Sequence, residues 1–88
     1  MTQTHLSTSG RTSWGLTIAG QTLFTVNPDI PAVEALEHAS ILQNCANHLM
    51  SEAAFGDPTG HAALSAVYLG EMAKAIMDDV AAGMSLTV

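Results

Sequence analysis

One stretch of the sequence carries side chains that could bind a metal ion. His38, Cys45, His48 and Glu52 follow one another at intervals of seven, three and four residues, which places them on one side of a helix. Neighbouring pairs could share an ion, but His38 lies about 10 Å from Cys45 along the helix axis, so a complete zinc site would need a second chain. Ile41 in the same stripe favours packing. We therefore predict that Cys45 is a small buried residue, that the histidines border an interface or solvent, and that no metal or cofactor is bound.

The residues around Cys45 do not indicate catalysis either. A thiol inside a helix lacks the exposed, electropositive setting of a reactive cysteine, and no nucleophile turn or phosphate-binding loop is present. Asp78 and Asp79 point about 100° apart on a helix, so we expect a solvated acidic face with a weak ion pair from Lys74 to Asp78. We predict a protein that is not an enzyme and has no catalytic residues.

The composition excludes several classes of function. The 88 residues, 48% of them hydrophobic, suffice for one small domain. Eight acids against two bases give a net charge of −6, which disfavours nucleic acid and favours a basic protein partner. There is no run of about 20 apolar residues that would span a membrane. A single cysteine excludes an internal disulfide, and the start does not resemble a signal peptide, so we expect a cytoplasmic protein.

Two helices are predicted after residue 30. The first begins at Pro31 or Ala32 and ends at Ala54, because proline suits the start of a helix, and Gly56 follows its end. Asp57 is expected to cap the second helix, which spans residues 58–82. Gly83 would then end it with a left-handed residue.

Both predicted helices carry a matching seam of small apolar residues at heptad spacing. The first seam consists of Ala35, Ala39, Leu42, Ala46, Leu49 and Ala53, and the second of Ala62, Ala66, Leu69, Ala73, Ile76 and Val80. A short linker makes such helices antiparallel, so we predict a helical hairpin with a close, alanine-rich contact. Gly70 in the second helix marks either a close crossing or a tolerated surface position.

Large apolar residues remain outside the seams. They are Val33, Leu36, Ile41, Met50, Leu64, Val67, Tyr68, Met72 and Met77. Because a hairpin cannot cover this second surface with itself, we predict a homodimer that completes a four-helix bundle. The alternative is a monomer in which the N-terminal segment folds over the surface.

The residues before the helices have strand character. Trp14, Leu16 and Ile18 alternate with small residues, Gly20 supplies a turn, and residues 22–26 form a second run of strand-favouring types. A short β-hairpin is the preferred interpretation, and a single strand followed by coil is the alternative. We expect a flexible tail over residues 1–12, one mainly α domain over 13–83 and a frayed end over 84–88.

Three segments resemble a family of small bacterial proteins, domain-of-unknown-function family 3077. They are residues 23–28 (LFTVNP), 34–40 (EALEHAS) and 68–79 (YLGEMAKAIMDD), and the resemblance covers about residues 23–83. It implies a bacterial, cytoplasmic protein and supplies no reaction, ligand or site residue. We predict a non-enzymatic homodimeric protein-interaction module, with a small-ligand or metal-binding helical protein as the alternative.

Overall fold

The protein consists of a β-hairpin followed by a long helical hairpin. A computed structural model describes residues 6–85. Strands β1 (Ser13–Leu16) and β2 (Thr22–Thr25) pair antiparallel and precede helices α1 (Ala32–Ala54) and α2 (His61–Ser85). The predicted mainly α fold with an N-terminal β-hairpin is confirmed.

The β-hairpin forms where strand-favouring residues flank a glycine turn. Gly20 has a φ of 87°, and its N–H donates to the carbonyl of Thr17, so the chain reverses there without steric cost. Trp14 pairs with Phe24 across the strands, and their rings stack with centroids 4.4 Å apart. Such a pair stabilises the register of a two-stranded sheet that is marginal by itself.

Helix α1 has the predicted bounds, whereas α2 begins later than expected. Asp57 does not cap α2 from the adjacent position. Its carboxylate accepts hydrogen bonds from the N–H and hydroxyl of Thr59 and from the N–H of Ala62, which holds residues 57–60 in a turn. Gly60 has a φ of 75°, and α2 starts after it.

The end of α2 also differs from the prediction. Gly83 lies within the helix, which continues to Ser85. Gly83 is buried, and a Cβ atom there would collide with the backbone carbonyl of Ser7. Glycine is required because another segment of the chain passes against the helix, so the prediction that it terminates the helix was wrong.

The two seams meet as predicted. All twelve seam residues are buried or half-buried, and the start of α1 packs on the end of α2, where Ala32 and Ala35 cluster with Val80 and Ile76. The molecule is thin: its Cα atoms span only 15 Å in the shortest direction. Two helices lying side by side therefore leave broad faces that no third helix within residues 6–85 covers.

Candidate interaction surfaces and the segment that frames them

A buried carboxylate on α2 holds the N-terminal segment in place. Asp79 is 0% exposed, and one of its oxygens accepts hydrogen bonds from the N–H groups of Ser9 and Gly10. The other accepts from the N–H groups of Arg11 and Thr12 and from the hydroxyl of Ser9. Four successive N–H groups thus form an anion-binding nest around this side chain.

These hydrogen bonds keep Asp79 ionised. Burial by itself raises the pKa of a carboxyl group, but the N–H groups of Gly10 and Thr12, with the hydroxyls of Thr12 and Ser9, outweigh it and lower the pKa of Asp79 to about 2. The prediction that Asp79 belongs to a solvated acidic face was wrong. Its neighbour Asp78 is exposed and pairs with Lys74 at 2.7 Å, as expected.

Residues 6–12, here called the strap, run from the nest to the start of α1. The carbonyl of Leu6 accepts from the N–H of Ala32, so the strap supplies an acceptor that Pro31, which has no capping side chain, cannot provide. The buried Thr8 donates its hydroxyl to the carbonyl of Asn27 at 2.5 Å and accepts from the N–H of Ile30 at 3.0 Å.

The strap corrects the expectation of a flexible tail over residues 1–12. Within the described part of that segment, the backbone is paired on one side with the loop before α1 and on the other with α2. Polar groups of Thr8 and Ser9 make buried or partly buried hydrogen bonds, whereas a polar composition by itself is typical of a solvated segment. Residues 1–5 and 86–88 lie outside the described residues.

An apolar cleft lies where the β-hairpin meets the helices. Its volume is about 300 Å³, and it is lined by Thr8, Trp14, Val26, Asn27, Ile30, Ala35, His38, Met72 and Ile76. Most of the lining is apolar, and His38 stands among the few polar groups. Met72, expected on the uncovered surface, is half-buried here.

The stripe of candidate ligands does not form a site in the described chain. His38, Cys45, His48 and Glu52 are all exposed, and the imidazole of His48 is 3.8 Å from the carboxylate of Glu52. Among the described residues, no three histidine, cysteine, aspartate or glutamate side chains are grouped to hold a metal ion. The prediction that Cys45 is buried was wrong, because Cys45 lies outside the seam and the β-hairpin segment that meets His38 in the cleft does not extend to it.

The comparisons with known proteins match one family. A family model covers residues 8–83, and its description is a protein of unknown function, DUF3077. The chain belongs to this family. The matched range includes most of the strap as well as both hairpins, so it extends further towards the N-terminus than the resemblance seen in the sequence. Searches among curated proteins and solved structures found no significant match.

Large apolar side chains form the remaining candidate surface of this family member. The β-hairpin exposes Leu16, Ile18, Leu23 and Phe24, and the helices expose Val33, Leu36, Ile41, Met50, Leu64, Val67, Tyr68, Met77 and Met84. The sequence predicted most of the helical set from the seams. In the described residues, no helix is long and apolar enough to cross a membrane.

Proposed function

We propose that the protein is a non-enzymatic, homodimeric protein-interaction module. One observation carries the proposal: the described chain buries almost no large apolar side chain. Its buried hydrophobic residues are Ala32, Ala35, Ala39, Ala46, Ala66, Ala73, Ala75 and Val80. Every leucine, isoleucine, methionine and phenylalanine between residues 6 and 84 is exposed or half-buried.

An alanine core contributes little to stability. Burial of a Leu, Ile or Met side chain supplies about 1.5–3 kcal/mol, and alanine supplies much less. A chain of this size buries only about 60% of its unfolded surface even when its core is ordinary. A second copy that covers exposed leucine and methionine side chains on one face of the helices would supply part of the missing stabilisation, and a two-fold dimer is the commonest way to do so.

Dimerisation is tested by unfolding at different protein concentrations. For a folded dimer that dissociates on unfolding, the Tm rises with concentration by mass action. We expect a clear rise between samples that differ a hundredfold in concentration. A constant Tm would contradict the proposal, because a folded monomer unfolds independently of concentration.

The β-hairpin is the surface we assign to a heterologous partner. Leu16 and Leu23 border a depression that also contains Glu71 and Tyr68, so apolar contact is available beside an acidic group. The net charge of −6 favours a basic partner, and the single free thiol suits a cytoplasmic location.

Co-purification with the double variant Leu16→Ser/Leu23→Ser as the control tests this assignment. We expect a basic protein to remain bound to the native dimer and to be lost with the variant, while the variant stays dimeric. Equal recovery of the basic protein with the native protein and with the double variant would contradict the assignment of the β-hairpin as its binding surface.

Binding of a small apolar ligand is the second candidate function, favoured by the cleft beside Trp14. Its volume of about 300 Å³ is at the lower end of ligand pockets, which suits an aliphatic molecule of six to eight carbons. Trp14 is the one tryptophan of the chain, so titration with hexanol can be followed by its fluorescence. A saturable change that Val26→Phe abolishes supports this function, and a linear response in both proteins contradicts it.

A further inference from the structure

One face of the helical hairpin points away from both the strap and the β-hairpin. His38 lines the cleft with Trp14, and Asp79 holds the strap. Leu36 lies two residues before His38, and Met77 lies two residues before Asp79. A separation of two residues corresponds to about 160° around a helix, so both side chains lie nearly opposite those positions. Both are exposed in the single chain, by 43% and 44%.

Residues at seven-residue spacing continue this face along both helices. We call it the open face; it consists of Leu36, Gln43 and Met50 on α1 and of Ala63, Gly70 and Met77 on α2. Met50 is 61% exposed. The face has apolar side chains towards its ends and small or neutral polar groups at its centre.

The open face has no acidic residue, although the chain is strongly acidic. The acids of the two helices are Glu34, Glu37, Glu52, Glu71, Asp78 and Asp79. Each lies one or two residues from a position of the open face, and therefore about 100–160° around the helix from it. Lys74 borders the face, and its ammonium group is paired with Asp78 at 2.7 Å.

This charge distribution indicates which partner would bind to the open face. A basic partner would gain from facing acids, which the open face does not offer. A second copy of the chain carries the same net charge of −6, so two copies repel each other unless the surfaces that meet are free of acids. The open face meets that requirement.

Gly70 also indicates that a second copy of the chain binds to the open face. It is half-buried at the centre of the face, in a helix interior where glycine is less favourable than alanine. A Cβ atom at this position would meet nothing within 4 Å in the described chain, so packing within one copy does not require glycine. Close approach of a helix from a second copy would require it.

We propose that a second copy of the chain docks on the open face, with α2 of one copy crossing α2 of the other at Gly70. This inference rests on the proposed homodimer and names its interface. The two-fold axis brings Gly70 next to its own counterpart. Leu36, Met50 and Met77 are then covered, while the β-hairpin, the strap and the stripe with Cys45 stay on the outer faces.

Gly70→Ala tests the crossing, with Ser65→Ala as the control on the same helix. Both changes favour the helix within one copy, and Ser65 lies off the open face. We expect Gly70→Ala to raise the dimer dissociation constant about tenfold or more through overpacking at the crossing. Ser65→Ala should leave the constant within about twofold of the native value.

Gln43→Glu and Asn44→Glu form a second matched pair. Both add one negative charge to adjacent, exposed positions of α1, but only Gln43 belongs to the open face. We expect Gln43→Glu to weaken the dimer about tenfold at low salt and less at high salt, and Asn44→Glu to have a small effect. Circular dichroism of each variant checks that the helices are retained.

These experiments distinguish a failure of the proposed interface from a failure of the proposed homodimer. A native protein that stays monomeric would overturn both proposals. A native dimer with equal dissociation constants for Gly70→Ala and Ser65→Ala, and for Gln43→Glu and Asn44→Glu, would overturn the open face alone. Selective weakening by Gly70→Ala and Gln43→Glu supports the interface.

Discussion

The buried carboxylate of Asp79 makes a quantitative prediction about stability. Its pKa is about 2, against an ordinary value of 3.8, and one pKa unit corresponds to 1.36 kcal/mol. The ionised form therefore stabilises the folded chain by about 2 kcal/mol at neutral pH. Asp79→Asn removes this charge and turns an amide N–H₂ towards backbone N–H donors, so we expect a total loss of about 3 kcal/mol in the free energy of unfolding.

The pH dependence follows from the direction of the pKa shift. Because the pKa of Asp79 is lower in the folded chain than in the unfolded chain, its stabilisation is complete above about pH 5 and is lost as the pH falls towards 2. The difference between the native protein and Asp79→Asn should therefore be largest at pH 7 and shrink across that range.

Urea unfolding at a fixed protein concentration measures this difference. Asp78→Asn is the matched control, since it removes an adjacent carboxylate whose exposed ion pair with Lys74 is worth less than about 1 kcal/mol. Hydrogen exchange at the amides of Gly10 and Thr12 gives an independent readout, because Asp79→Asn should accelerate it. Equal destabilisation by the two variants, with no dependence on pH, would refute the structural role of Asp79.

Three further predictions concern glycine, capping and thiol exposure. Gly83→Ala should lower the free energy of unfolding by about 1–3 kcal/mol in a urea titration, because the new Cβ collides with the carbonyl of Ser7; a stabilised variant would contradict the strap. Asp57→Ala should lower the Tm in a thermal scan, since the N–H of Ala62 loses its acceptor, and an unchanged Tm would contradict this capping role. Cys45 should react with a thiol reagent in the native protein as fast as in the unfolded chain, because it is exposed; native-state protection would place it at an interface and contradict the open-face dimer.

The helices and their contact could be predicted because their determinants are local. Ala35 and Val80, like the other seam residues, repeat at helical spacing, and that spacing alone decides which side of a helix is apolar. The end of α1 was similarly predictable from Gly56, whose φ of 103° suits only glycine without strain. The same reasoning identified the residues that remain uncovered.

The strap could not be predicted in this way because its contacts are distant in sequence. The N–H of Ser9 and the carboxylate of Asp79 are 70 residues apart, and the residue types alone do not indicate that they meet. One signal was present: Ala75 and Gly83 lie one turn on either side of Asp79, which leaves room for a backbone segment to reach the carboxylate. Glycine is more common at a helix end, so its position in the sequence favours termination at Gly83 over contact with a distant segment.

Sedimentation equilibrium of the native protein at tens of micromolar tests the central claim most directly. The claim is that one copy cannot bury its large apolar side chains and pairs with a second copy to do so. We predict a particle of twice the 9.1 kDa chain mass that dissociates on dilution. A single species of 9.1 kDa across the whole concentration range, folded by circular dichroism, would contradict it.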